Sequence, residues 1–228
     1  MQSELVDLIA ACVEAPAAPA QDVRHLRKMR DAAVPVLVHL LEDEPRASSR
    51  RRICEVLADV VEGQPTLLAP FVRFDSWHLA RNLAFVLGEL RDPAGIPCLA
   101  DLGRHEEYRV RREVLDALRK IGTEEARTAQ TVFFTDPDSR IRRHLIAGLD
   151  SYDSHASEWL LRIVRSRDYS REGTSVKEAA IAALGRIRAD EALPVLKRVA
   201  NSRWVLGRRR KMLKDAARGV LQEAYSSR

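Results

Sequence analysis

Aromatic residues make up only 5% of this 228-residue chain, and strand-forming residues are few beside its alanine, leucine, valine and arginine. That composition argues against a sheet-rich fold and suits helices packed through small and aliphatic side chains. No apolar run approaches the roughly 18–20 residues needed to cross a bilayer, so no membrane partner is expected. The N-terminal MQSELVDLIAACVEAP lacks a basic stretch and carries Glu4, Asp7 and Glu14, so it does not read as a secretory signal. Cysteine is scarce as well. Cys12, Cys54 and Cys98 are odd in number and widely spaced, which excludes a disulfide framework and a CxxC metal motif. Buried free thiols in a reducing cytoplasm are the expectation. The histidines form no HxxxH or HExxH pair, and no Walker A loop or GxSxG elbow occurs. No metal, no cofactor and no catalytic residue is therefore expected.

The net charge of +5 conceals an asymmetry. Residues 197–228 hold ten Lys/Arg against two acids, whereas the preceding 196 residues hold 28 against 31. The basic character is thus a property of the C-terminal end.

What the chain has in abundance is one pattern. SRRRICEVLADV, LARNLAFVLGEL, VRREVLDALRKI, IRRHLIAGLDSY, VKEAAIAALGRI and LKDAARGVLQEA align on Leu57, Leu87, Leu118, Leu149, Leu184 and Leu221. These anchors lie 30, 31, 31, 35 and 37 residues apart. Four residues before each stands Ile53, Leu83, Val114, Leu145, Ala180 or Ala217, a stripe at helical spacing. A second helix precedes each, three of them opening with VPVL, IPCL or LPVL, where proline in a first turn costs little. Asp92, Thr123, Asp136, Ser154 and Asp190 are placed as N-caps. The spacing predicts helix pairs at 32–42 with 49–62, 64–73 with 77–91, and 93–103 with 107–121. Three more follow at 124–133 with 138–151, 155–166 with 174–188, and 190–200 with 205–225.

These residues resemble HEAT repeats, particularly the short bacterial, PBS-lyase-type form, which reads roughly φPxL, an acidic turn, then VRxxAxxALGxI. IPCL…RVRREVLDALRKIG at 96–122 and SVKEAAIAALGRI at 175–187 carry the likeness best, and it extends over about residues 32–224. The resemblance implies an all-α, right-handed α-α superhelix of about six to seven helix pairs, each stacking on the next to make one core. Residues 1–30 are expected as capping helices around the Pro/Ala connector 15–20, and 31–228 as a single continuous array. The expectation is a cytoplasmic, non-catalytic scaffold that presents a concave helix-B face and a basic C-terminal edge to a protein partner or acidic segment.

Three sets of residues are candidates for function. Cations six or seven residues before each anchor (Arg50/Arg51, Arg81, Arg111/Arg112, Arg142/Arg143, Lys177, Lys214) read as a structural ladder, paired with acids such as Asp75, Glu106 and Asp136. The concave face would present Arg52, Glu55, Arg81, Asn82, Phe85, Asp116 and His144, with Trp77 and His78 opening one of its helices. The longer turns of the last two repeats, SRDYSREGTS and NSRWVLGRRRKM, would form a basic edge. That edge carries Arg165, Arg167, Tyr169, Arg171, Arg203, Trp204, Arg208, Arg209, Arg210 and Lys211, a composition suited to phosphate or an acidic peptide. Nucleic acid is the competing partner class, and DNA glycosylases of HEAT-like fold and phycobilin lyases are the enzyme alternatives. Metal hydroxylases of the deoxyhypusine type do not match, because the one His-Glu dyad, His105-Glu106, falls in a turn.

Overall fold

The computed structural model describes residues 2–15, 17–72, 76–150, 153, 156–202 and 207–225. They divide into two compact units, 1–129 and 130–228. Among the described residues there is no strand.

In the first unit run α1 (Gln2–Glu14), α2 (Ala20–Lys28), α3 (Arg30–Asp43) and α4 (Ala47–Val61). A 3-10 segment Pro65–Phe71 leads to α5 (Trp77–Leu90), and α6 (Ile96–Leu102) to α7 (Tyr108–Ile121). The helix α8 (Glu124–Gln130) follows. The second unit continues with a 3-10 segment Thr131–Thr135 and α9 (Ser139–Ala147). After them come α10 (Ser157–Arg165), α11 (Arg171–Arg186), α12 (Leu193–Ala200) and α13 (Arg208–Tyr225).

The expected helix at 64–73 is a 3-10 segment over Pro65–Phe71; Pro65 sits in the first turn at little cost, whereas Pro70, inside the segment, lacks the amide an α-helical ladder requires. Asp92 and Thr123 cap as predicted, accepting from Ala94 N at 2.9 Å and Ala126 N at 3.3 Å. Asp136 is displaced from that role. Its Oδ1 accepts from Asp138 N at 2.8 Å, and Asp138 caps α9 by accepting from Arg140 N. Asp190 also loses it, becoming the first residue of a 3-10 turn capped by Ala189. Ser154 lies outside the described residues. The longer turn before α11 is partly absorbed into the helix, whose start at Arg171 is fixed by Ser170 Oγ accepting from Gly173 N at 2.9 Å.

The stripe read from the sequence is the core. Leu57, Leu87, Leu118, Leu149 and Leu184 are buried, as are all six residues four positions earlier. Leu221, in the last helix, is half-buried. Neighbouring helices meet in one register: a side chain at Gly88 would strike Ala117, and one at Gly185 would strike Val220. In each case the residue after one anchor faces the residue before the next. Glycine there lets α5 approach α7, and α11 approach α13, closer than any larger residue would.

The recurring cation donates to the main chain of the turn; Asp75, the acid expected opposite Arg81, lies outside the described residues. At seven residues before the anchor, Arg50 Nη1 donates to the carbonyls of Glu44 (2.9 Å) and Pro45 (2.6 Å). Arg111 Nη1 donates to those of His105 (2.8 Å) and Glu106 (2.6 Å), and Arg142 Nη1 to those of Asp136 (2.5 Å) and Pro137 (3.1 Å). Where the turn is longer, a lysine makes one such bond: Lys177 Nζ to Ser166 O at 2.5 Å, Lys214 Nζ to Ser202 O at 3.1 Å. The acceptors are main-chain carbonyls that the turn leaves without helical partners, and a charged donor satisfies them more strongly than a neutral one. The second cation of each pair stands outside this bond. Arg112 is exposed, whereas Arg111 is 9% exposed.

This distinction is measurable. Arg111→Ala should lower the unfolding free energy by about 2 kcal/mol or more, the worth of charge-assisted hydrogen bonds whose acceptors become buried and unpaired. Arg112→Ala should stay within about 0.5 kcal/mol of the parent. Urea denaturation followed by circular dichroism reads both.

Candidate functional site

The face expected from Arg52 to Asp116 lies in the first unit and is largely neutralised from within. Arg52 is half-buried: its Nη2 donates to Cys12 O at the end of α1 (3.0 Å) and its Nη1 to Glu55 (3.0 Å). Arg81 pairs with Glu113 of α7 at 3.5 Å, and Asp116 with Arg119 at 3.0 Å. Phe85 lies 5.0 Å beneath Lys120 Nζ, which is itself bonded to Glu89 at 2.7 Å. Trp77 is half-buried, stacked on His78 at 3.5 Å with the Arg109 guanidinium 5.0 Å above its ring. Desolvation, then Arg50, Arg81 and Arg109, hold the His78 imidazole below its ordinary pKa. His144, on α9, belongs to the second unit.

A groove of about 250 Å³ between α4 and α5 is lined by Arg50, Arg51, His78, Arg81 and Phe85, with the buried Cys54 at its base. Burial pushes the Cys54 thiol up to about 12, with Arg81 opposing the shift. The folded state then keeps a proton that the unfolded thiol releases at its ordinary 9.0.

The second unit holds a larger groove, of about 570 Å³, walled by α10, α11, α12 and α13. Its floor is aliphatic: Val164, Ile181, Val195, Val199 and Leu213. Arg165, Arg198 and Arg210 stand around it on three different helices, and no carboxylate lines it. Unlike the arginines of the first unit's face, these three make no ion pair with any described carboxylate. Tyr169 overhangs the groove at 41% exposure. Its ring lies 3.9 Å from Lys177 Nζ and 4.7 Å from the Arg210 guanidinium, and its carbonyl accepts from Arg209 Nη1 at 3.1 Å. Buried Lys177 has its ammonium pKa lowered by desolvation, Asp168 opposing and Arg210 adding to the shift.

α13 opens with Arg208, Arg209, Arg210 and Lys211, and its first turn has no acid. Four cations at the positive end of a helix dipole are mutually unfavourable until an anion is present. The groove therefore joins two properties, an apolar floor and uncompensated positive charge.

Of the residues expected at the basic edge, Tyr169, Arg209 and Arg210 are drawn together. Arg167, Arg171, Arg208 and Lys211 are exposed and do not line the groove. Arg203 and Trp204 lie outside the described residues. Sequence reasoning missed Arg198 and the floor. Their signal was the run LPVLKRVA, in which Val195, Arg198 and Val199 fall on one helical face. Among the described residues no group of His, Cys, Asp or Glu could hold a metal ion, and no helix is long and apolar enough to cross a membrane.

Paired helices meeting in a repeated register define a helical-repeat protein. Two family models match parts of the chain: HEAT repeats at residues 65–131 and PBS lyase HEAT-like repeat at 176–202. Those two segments are thus built of HEAT-type repeats. No curated protein matches the sequence. Among solved structures it is similar to YibA of Escherichia coli, with 18% identity over 97% of this chain and 82% of the other, at a TM-score of 0.47. Human deoxyhypusine hydroxylase, in complex with glycerol, is 18% identical over 100% and 97% of the two chains, at 0.46. A designed armadillo repeat protein is 15% identical over 97% and 92%, at 0.35. Likenesses this distant lend the chain none of those proteins' activities.

The raised thiol gives a pH prediction. Above pH 9.0 folding should weaken as pH rises, by up to roughly 1.4 kcal/mol per pH unit, because the unfolded state alone loses the Cys54 proton. Cys54→Ala should lose that contribution, so its stability deficit against the parent should shrink between pH 9 and 10.5 in reducing buffer. A deficit constant across this range would show that Cys54 titrates normally in the fold.

Proposed function

We propose that this protein is a non-catalytic binding module that holds an acidic segment of a partner protein on the groove of its second unit. The observation that carries this reading is the set Arg165, Arg198 and Arg210, three cations around an aliphatic floor with no carboxylate among the lining residues. In the first unit the comparable charges are already spent on Glu55, Glu113 and Glu89. Charge left uncompensated at one place steers an oppositely charged partner there and fixes its register. The face around Trp77 and Phe85 is a second, less charged contact surface in this reading, and the module works in the cytoplasm without a cofactor.

Nucleic acid is the second reading, favoured by the arginines beside an aromatic ring. Two features weigh against it. The ring of Tyr169 is already engaged by Lys177 and Arg210, so stacking a base on it would displace a cation. Phosphodiester oxygens laid over Val195, Val199 and Leu213 would also lose their water without gaining donors.

Charge reversal at Arg165, Arg198 and Arg210 decides between them. After nuclease treatment of the native lysate, the parent chain should retain an acidic protein that the triple variant loses, and reversal of exposed Arg51 should retain it. Recovery of nuclease-sensitive material alone, or a complex indifferent to the three arginines, would contradict the reading. Binding to nucleic acid would also show the steep salt dependence of counterion release.

A further inference from the structure

Resting on that reading, we infer that the groove selects acidic segments carrying one aliphatic side chain, which inserts between the arginines onto the floor. Charge alone does not account for the cavity. Val164, Val195 and Leu213 are 6–8% exposed, core residues whose edges reach the groove, and Ile181, at 1%, packs directly beneath them. Val199 is half-buried and completes this surface. A ligand made only of carboxylates would satisfy the rim and leave the floor wet.

The volume of about 570 Å³ lies within the roughly 300–1,000 Å³ typical of ligand sites and exceeds what one carboxylate needs. The cations come from three directions: Arg165 from the end of α10, Arg198 from the last turn of α12, and Arg210 from the first turn of α13. An extended peptide matches this layout. One side chain points down while its neighbours in sequence project to the sides, where the guanidiniums stand. The lone anionic head of a small aliphatic acid would use one arginine and leave the other two uncompensated. Arg210 is also held against the Tyr169 ring, so one wall of the groove is preorganised for its ligand.

The probes are labelled heptapeptides of six glutamates around a central residue, titrated onto the purified full-length chain by fluorescence anisotropy. With leucine at the centre, binding should be about tenfold tighter or more than with serine, the factor expected for burying one leucine side chain. Replacing the glutamates by glutamine around the same leucine should abolish binding. Val199→Ser should remove most of the leucine preference and keep the requirement for glutamate. Equal affinity for the leucine and serine peptides would overturn the inference while leaving an acidic partner in place. Failure of every acidic peptide to bind would overturn both the inference and the proposed function. Decanoate competing as well as the leucine peptide would also overturn it, since the site would then read an aliphatic acid rather than a protein segment. The peptide comparison is made on the parent chain, so it stands even if Val199→Ser unfolds.

Discussion

A single hydrogen-bonding arrangement holds the repeat together: a cation seven residues before the anchor leucine, reaching back to the carbonyls of the turn it has just left. A turn between antiparallel helices leaves carbonyls without intrahelical partners, and those facing the core cannot all turn to water. Arg50, Arg111 and Arg142 each satisfy two of them with one nitrogen, and Lys177 and Lys214 each reach one across a longer turn. The repeat with anchor Leu87 has Ala80 at that position instead. Its helix α5 is bound to its neighbour by the Gly88 approach and by the Arg81–Glu113 and Lys120–Glu89 pairs.

That arrangement sorts the chain's many cations. Those at the turn position are part of the fold, buried or half-buried and committed to main chain. Those on the face of the first unit are neutralised by acids three or four residues away or on the next helix. A further group, Arg165, Arg198 and Arg210, stands where the period lengthens. Longer turns before α11 and α13 bring Tyr169 and Arg210 to a groove whose floor is ordinary repeat core, with Arg209 bonded to the Tyr169 carbonyl. The proposed binding surface is thus a by-product of departure from the repeat. Inserted residues need not serve the stacking and are free to serve a ligand.

The sequence makes the fold legible because burial is periodic: the stripe from Ile53 and Leu57 to Ala180 and Leu184 is buried where the spacing puts it. The turn cations are legible as a pattern, but their acceptors are not. A carbonyl is present at every residue and leaves no mark in the letters, so the sequence points to the side chains of Glu106 and Asp136 while their main chain also accepts. The departure of Pro65–Phe71 from α-helix has its mark in the letters at Pro70, a proline inside the segment. The groove was only half legible. Its rim at Tyr169 and Arg210 follows from composition, whereas Arg198 and the floor come from four helices that only tertiary packing brings together.

The turn cations belong to the fold, and recognition is proposed to belong to the uncompensated cations of the second unit. Nitrogen-15 NMR titration of the chain with poly-L-glutamate tests it most directly. The account predicts shift changes concentrated on the end of α10, Tyr169, α12 and the first turns of α13, with α5, α7 and the amide of Arg111 unmoved. Changes centred on α4, α5 and α7, or spread evenly over every turn cation, would contradict it.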